Sequence, residues 1–173
     1  MIEQAMIELQ YIVPNDHYPS LYSVMQKADP VWDTKDFGQF VLRMEHLRGW
    51  AVVANGKPIG MMGVTNIVPN HDAVIHGAVL PEWRGKWITR KNLETFFGMI
   101  FNKLRLVRVS GYVIVGLTDP LERFFLHLGF EREGYQKKKV HVLGKFWDII
   151  PFGMLKEKCR WLPKKQGELK CQC

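Results

Sequence analysis

The stretch Ala73–Phe101, AVIHGAVLPEWRGKWITRKNLETFFGMIF, decides how this chain folds. Ala73 to Leu80 reads as an apolar strand with a small-residue pair, Gly77-Ala78. Pro81 breaks it, and Arg84-Gly85-Lys86 form a short basic loop. From Ile88 the apolar period lengthens from that of a strand to that of a helix: Ile88, Leu93, Phe96, Phe97, Ile100, Phe101 and Leu104 mark one face. A strand that runs through a basic turn into a helix start is a physical anion site. The first N–H groups of the helix lack internal partners, and the dipole adds positive character there. Arg84, Lys86, Arg90 and Lys91 surround that spot. A solvated basic turn before an ordinary amphipathic helix has the same pattern, so the flanking segments must choose between the two.

On the N-terminal side, Ile7-Leu9-Tyr11-Val13 alternates as a first strand, and Pro14-Asn15-Asp16 punctuates it. A helix is expected over Tyr18–Ala28, with Leu21, Tyr22, Val24 and Met25 inward. A second helix carries Phe37, Phe40, Val41, Met44 and Leu47, capped by Asp33 or Thr34 and ended by Gly49. Trp50–Ala54 and Pro58–Val64 flank Asn55-Gly56, a dipeptide favoured in type I′ hairpins. On the C-terminal side, Leu106–Val115 reads as a buried strand with Ser110-Gly111 as a bulge or turn. Thr118 or Asp119 caps a short helix, with Pro120 in its first turn and Gly129 at its end. Strands around Phe130–Val142 and Lys145–Leu155 close the series. The order β, α, α, β, β, β, α, β, α, β, β predicts a single α/β domain around a mixed, mostly antiparallel central sheet flanked by helices.

Composition narrows the function classes. With 173 residues, 47% of them hydrophobic, the chain suits one domain with a substantial core. No apolar run approaches the ~20 residues of a membrane span, and MIEQAMIELQ lacks the basic and apolar regions of a signal peptide. The three cysteines, Cys159, Cys171 and Cys173, all fall in the last fifteen residues and cannot staple a core. A reducing, cytoplasmic location is the simple expectation. Cys171-Gln172-Cys173 is too short a motif for zinc, so no metal site is expected. From Lys156 onward six Lys or Arg face two Glu, so four of the seven net positive charges lie there. Residues 163–173 are expected to form a basic, solvated tail after a domain spanning 1–162, and such a tail can touch nucleic acid or an acidic partner.

With these residues in view, the chain resembles the GNAT superfamily of N-acetyltransferases from about Ile7 to Trp161. LPEWRGKWIT resembles that family's coenzyme pyrophosphate loop, an Arg or Gln, two residues, Gly, one residue, then Gly or Ala. Arg84 matches the first position, whereas Trp87 and Thr89 replace the small residues that let a backbone approach phosphate closely. Phe124–Phe130 resembles the late helix, which closes with an aromatic pair and Leu-Gly-Phe. Gly144–Phe152 resembles the last hairpin of the ribosomal-protein N-terminal acetyltransferase branch, with Arg160-Trp161 an echo of its closing pair.

The resemblance implies an N-acetyltransferase that moves an acetyl group from acetyl-CoA to a primary amine, on a small molecule or a protein, by direct attack in a ternary complex. Acetyl-CoA is then expected in a cleft over Val79-Leu80 and the loop Arg84, Gly85, Lys86, Trp87, Ile88 and Thr89. The Trp87 ring would turn outward and its N–H would face phosphate. Thr118 stands where the family has Asn. Phe125 stands where a Tyr commonly protonates the leaving thiolate, and is expected beside a water-filled cleft that would accept a hydroxyl. Candidate bases are His76, Glu82 and His127. His76 has a pKa suited to proton acceptance near neutrality, and His127 lies near the expected thiolate. For each of the three, a structural or surface role is the alternative. Two other classes stay open: a GNAT-fold binding module without chemistry, favoured by Trp87, Thr89, Thr118 and Phe125, and a nucleic-acid-associated protein using the tail and Lys137-Lys138-Lys139. The chain is expected to be a monomer or homodimer.

Overall fold

The computed structural model describes residues 6–29 and 36–162. Eight strands are present: β1 (Ile7–Tyr11), β2 (Arg48–Ala54), β3 (Lys57–Thr65), β4 (Val74–Val79), β5 (Arg108–Ile114), β6 (Glu131–Arg132), β7 (Gln136–Val142) and β8 (Lys145–Leu155). The helices among the described residues are α1 (Pro14–Ala28), α2 (Phe37–Glu45), α3 (Arg90–Gly98) and α4 (Pro120–Leu128). The sheet runs β1-β2-β3-β4-β5-β8, and β6 and β7 both pair along the outer edge of β8. All pairings are antiparallel except β4 with β5. The expected α/β architecture is therefore the observed one.

Two apolar layers hold the sheet. On one face Trp50, Ile75, Val113 and Phe152 pack with Phe96, Phe97, Ile100 and Phe101 of the central helix and Phe125 of α4. The other face presents Ala51, Val53 and Met61 to Leu21 and Met25 of α1 and to Phe40 and Met44 of α2. The four residues Phe96, Phe97, Ile100 and Phe101 have no exposed surface. A wide π-type turn over Met99–Lys103 follows α3 directly, so the chain stays coiled through Ile100 and Phe101.

Local departures from the sequence reading each have a physical reason. Pro14-Asn15-Asp16 is the first turn of α1 rather than a stop, because proline is well suited to a helix start. Asp36 caps α2, its carboxylate accepting from Gln39 N at 2.8 Å. The expected caps Asp33 and Thr34, like the tail 163–173 and its two cysteines, lie outside the described residues. Gly49 does not end that helix. It lies within β2, where an added Cβ would come within 2.7 Å of Leu47 and 3.0 Å of the Met62 carbonyl. Ser110 and Gly111 pair in register with Gly153 and Phe152, so no bulge occurs there. The register shifts lie elsewhere, between Val52 and Val53 where β2 pairs with β3, and between Gln136 and Val140 in the last hairpin. The hairpin dipeptide behaves as expected, with φ of 49° at Asn55 and 76° at Gly56.

Truncating Phe97 to Ala removes a ring with no exposed surface and should destabilise the fold by about 3–5 kcal/mol. The urea midpoint should fall accordingly. Leu126→Ala, on the exposed side of α4, should change stability by less than about 0.5 kcal/mol.

Candidate active site

The parallel strands β4 and β5 share one register pair, Val74 with Ser110, and then diverge. Hydrogen-bond parity shows what faces the opening. Leu80 N donates to Ile59 O at 2.8 Å, so peptide groups of the same parity on β4, those of Ala78 and His76, turn toward β3. Those of Gly77 and Val79 turn toward β5. On the other wall, Val115 N donates to Asp148 O at 3.0 Å, so Val113 and Gly111 bond β8 while Ser110 and Tyr112 turn toward β4. Ser110 N still reaches Ala73 O at 2.8 Å. Beyond it the strands part, and Gly77, Val79 and Tyr112 present their peptide groups to the split.

Both ends of the split are fixed by side chains. At the closed end Ser110 Oγ donates to Asp72 Oδ2 at 2.6 Å, and Arg108 Nε donates to Ser110 Oγ at 3.2 Å. Arg108 also clasps Glu133 with both terminal nitrogens. At the end of β5, Thr118 Oγ1 accepts from Ile114 N at 2.8 Å and Thr118 N donates to Ile114 O at 2.8 Å. Thr118, expected at the coenzyme, thus has its hydroxyl occupied in closing this turn. Asp119 likewise bonds Gly116 N at 2.8 Å rather than capping α4.

The loop after β4 departs from expectation in two ways. Trp87 does not turn outward: only 8% of it is exposed, and its ring lies 5.9 Å from that of Phe124. An apolar surface next to the large indole favours burial over solvation. Its carbonyl accepts from the buried Asn92 amide at 3.0 Å, which locks the loop onto α3. Arg84 turns toward α1, its guanidinium donating to Ala28 O at 3.2 Å. Thr89 takes the Asn92 and Leu93 amides with its hydroxyl and carbonyl. The N–H groups of Arg90 and Lys91 are left at the head of α3, next to the exposed Lys86 and the positive-φ Gly85. These two amides are the backbone donors that an anion would need at this helix start.

Four more candidates can be placed. His76 is half-buried on the α1 face of β4, with Nε2 2.8 Å from Thr65 Oγ1. Burial lowers its pKa, so the imidazole is neutral at neutral pH. Glu82 sits exposed in the turn Pro81–Trp83 beyond the strand. His127 is apart from the split: it is exposed, and its ring lies 6.2 Å from Trp161. The reason is helical spacing, since two residues earlier Phe125 already points into the core. Phe125 is no cleft residue either. It stacks on Phe152 at 5.2 Å, and its ring tip lies against Gly111, where a Cβ would come within 2.6 Å.

Tyr112 completes the site, and no motif in the sequence marks it. Residues Val109 and Val113 of β5 face the α3/α4 layer, so Ser110 and Tyr112 face the α1 side with His76. From the pair Val74–Ser110, His76 and Tyr112 are each two residues on, which places them level across the split. Burial, then the charge of Asp29, raises the Tyr112 pKa, so its hydroxyl stays protonated and can donate.

The comparisons with known proteins bear on the fold. The chain shares the GNAT acetyltransferase fold. A mutant form of the spermidine/spermine N-acetyltransferase SpeG from Vibrio cholerae superposes with a TM-score of 0.71 at 18% identity, covering 88% of this chain and 95% of that one. A GNAT-family acetyltransferase from Bacillus anthracis gives 0.66 at 19% identity, over 87% and 95% of the two chains. A protein described as a probable acetyltransferase gives 0.65 at 21%, over 90% and 94%. No family model and no curated protein matches the chain by sequence.

Two outcomes check the site. Because His76 is harder to protonate folded than unfolded, the unfolded state binds more protons as pH falls below about 6.5. Stability should therefore decline below that pH until the folded site also protonates. His76→Gln should flatten the decline in urea midpoints between pH 7 and 5, which are our chosen assay limits. Phe125→Tyr, which the sequence suggested would be tolerated, should instead destabilise by about 1–3 kcal/mol, since its hydroxyl enters an apolar contact. Thermal unfolding of the variant measures this.

Proposed function

We propose that this protein is an N-acetyltransferase that moves the acetyl group of acetyl-CoA to a primary amine, by direct attack while both substrates are bound. The observation that carries this reading is the split between β4 and β5, lined by the peptide groups of Gly77, Val79 and Tyr112, with His76 and Tyr112 level with each other on its α1 face. The amides at the head of α3, with Lys86, Arg90 and Lys91, suit a pyrophosphate. A β4 amide suits the thioester carbonyl, where negative charge builds as the amine attacks.

Neutral His76 takes the proton that the amine must lose, directly or through a water. For Nδ1 to accept, Nε2–H must donate to Thr65 Oγ1, and the observed 2.8 Å contact provides for that tautomer. Tyr112 replaces the missing α4 tyrosine as the donor that protonates the thiolate. Glu82, exposed beyond the strand, is kept as a water-linked relay to the amine. His127 has no part in this scheme. The fold neighbours include enzymes named for spermidine, which makes spermidine a reasonable first acceptor to assay. The closer likeness to ribosomal-protein enzymes rests on Gly144–Phe152 and the closing pair Arg160-Trp161. No helix among the described residues is long and apolar enough to cross a membrane, and the free, buried Cys159 fits a cytoplasmic setting.

A second reading, a GNAT-fold binding module, is favoured by the burial of Trp87 against Phe124 and of Phe125 against Gly111. Calorimetry with acetyl-CoA, beside free CoA, separates the cases when paired with release of free thiol in the presence of an amine. Binding with turnover is expected. His76→Gln and Tyr112→Phe should each lower kcat by about 10²–10⁴-fold where their proton transfer limits the rate, with little change in acetyl-CoA affinity. Turnover on no amine together with no binding of acetyl-CoA overturns the transferase reading and supports the module.

A further inference from the structure

The β7–β8 hairpin outruns the rest of the sheet. The last pairing of β8 with β5 joins Ile149 to Ile114, so residues 145–148 pair with β7 alone. This free length is a two-stranded ribbon, and its two faces differ. Cross-strand partners share a face, so Val140 and Trp147 lie with Val142 and Lys145 on the first. That face is closed on itself. Trp147 Nε1 donates to Val142 O at 2.9 Å, and Lys145 Nζ lies 3.7 Å from the centre of the Trp147 ring.

The second face has no such closure. His141 pairs there with Phe146. Alternation adds Lys139, next to Val140, and Lys137, next to Gln136, whose partner Ile149 belongs to the first face. Lys137, Lys139, His141 and Phe146 are all exposed, Phe146 to 64%. The Phe146 and His141 rings adjoin, with centres 4.9 Å apart and planes at 60°. An open aromatic surface thus continues the row of lysines. It looks away from Tyr112, which shares the first face through Ile114 and Ile149.

Nearby carboxylates do not cancel the charge. The five between Asp119 and Asp148 are all engaged: Asp119 with Gly116 N, Glu122 with Arg132, Glu131 with Lys158, Glu133 with Arg108, and Asp148 with Lys138 N and the Tyr135 hydroxyl. Lys137, Lys138 and Lys139 form no ion pair among the described residues.

Lysines beside an exposed ring select a partner that carries both phosphates and free flat bases. A duplex keeps its bases stacked inside and offers this face phosphates only. An acidic peptide would leave the ring unused. We infer that this face of the hairpin binds single-stranded nucleic acid, with phosphates on Lys137 and Lys139 and a base stacked on Phe146. Same-face neighbours along β7 are about 7 Å apart, so the footprint is short, on the order of two to three nucleotides. The surface is separate from the split, and the inference does not depend on acetyl transfer.

The test uses the full chain and fluorescence anisotropy with labelled oligo(dT), labelled oligo(U) and a duplex of the same length. Sedimentation with vesicles, with and without phosphatidylserine, runs beside it. A single strand should bind more tightly than the duplex, and a preference between oligo(dT) and oligo(U) identifies DNA or RNA as the source. Affinity should fall between about 50 and 200 mM salt with a log–log slope of about −1.4 or steeper, two phosphates at about 0.7 each. Phe146→Ala should weaken binding about fivefold or more, as when a stacked base loses its ring. Because that ring is mostly exposed, thermal unfolding of the variant should match the wild type. K137E/K139E should weaken binding and make the salt slope shallower by about 1.4. Binding of neither single strand, tighter binding of the duplex, or binding of anionic vesicles without oligonucleotides overturns the inference. So does salt-dependent binding that both variants leave unchanged, since the nucleic acid would then lie on another basic surface, such as residues 163–173.

Discussion

Everything the site can do depends on β4 and β5 being joined at one end only. A parallel pair left to itself would continue its ladder, since unpaired peptide groups inside a protein are costly. Here pairing stops after Val74 and Ser110. The chain from Asp72 through Ser110 and Arg108 to Glu133 clamps the closed end, with Ala73 N also bound to Asp72 at 2.8 Å. Thr118 secures the far end of β5 by folding it back on Ile114. Between these two anchors the core packs closely against β5. Phe125 wedges over Gly111 and beside Ile75, where any larger residue at position 111 would collide.

The same packing explains which parts of the molecule were legible in the sequence. Strand and helix positions followed from apolar period, and the Asn55-Gly56 hairpin and Gly129 cap followed from local backbone chemistry. Those signals are carried by neighbouring residues, and long-range packing seldom overrides them. The limits of α2 were less legible because Gly49 serves a close approach between strands, and a glycine looks the same in either role. Trp87 was misread for a related reason. Position in a loop argues for exposure, yet a buried surface on Phe124 outweighs it, and only the fold brings residues so distant in sequence together.

The candidate site was legible to a smaller extent. His76 could be nominated because an imidazole on a central strand carries its own chemistry. Tyr112 could not, since a tyrosine in a β-rich run is ordinary strand composition. Its significance arises from register, from the one pairing that sets it level with His76. His127 and Phe125 were displaced by the opposite effect. Their positions along α4 were right, but the direction each side chain takes is set by the apolar face of the helix, which belongs to Phe125 and Leu128.

The resulting arrangement divides labour between backbone and side chain in a definite way. Peptide groups on β4 and at the head of α3 have fixed dipoles, insensitive to pH, and suit the parts of a substrate whose charge is large or transient. Proton transfer needs groups that can change state, and these sit on the other face. Burial pulls the His76 pKa down and pushes the Tyr112 pKa up, so over the neutral range the imidazole is unprotonated and the phenol protonated. Asp29 adds to the upward shift at Tyr112, whereas at His76 burial alone sets the direction. Burial is the larger cause at both groups, and because it disfavours whichever form is charged, it moves an imidazole and a phenol in opposite directions.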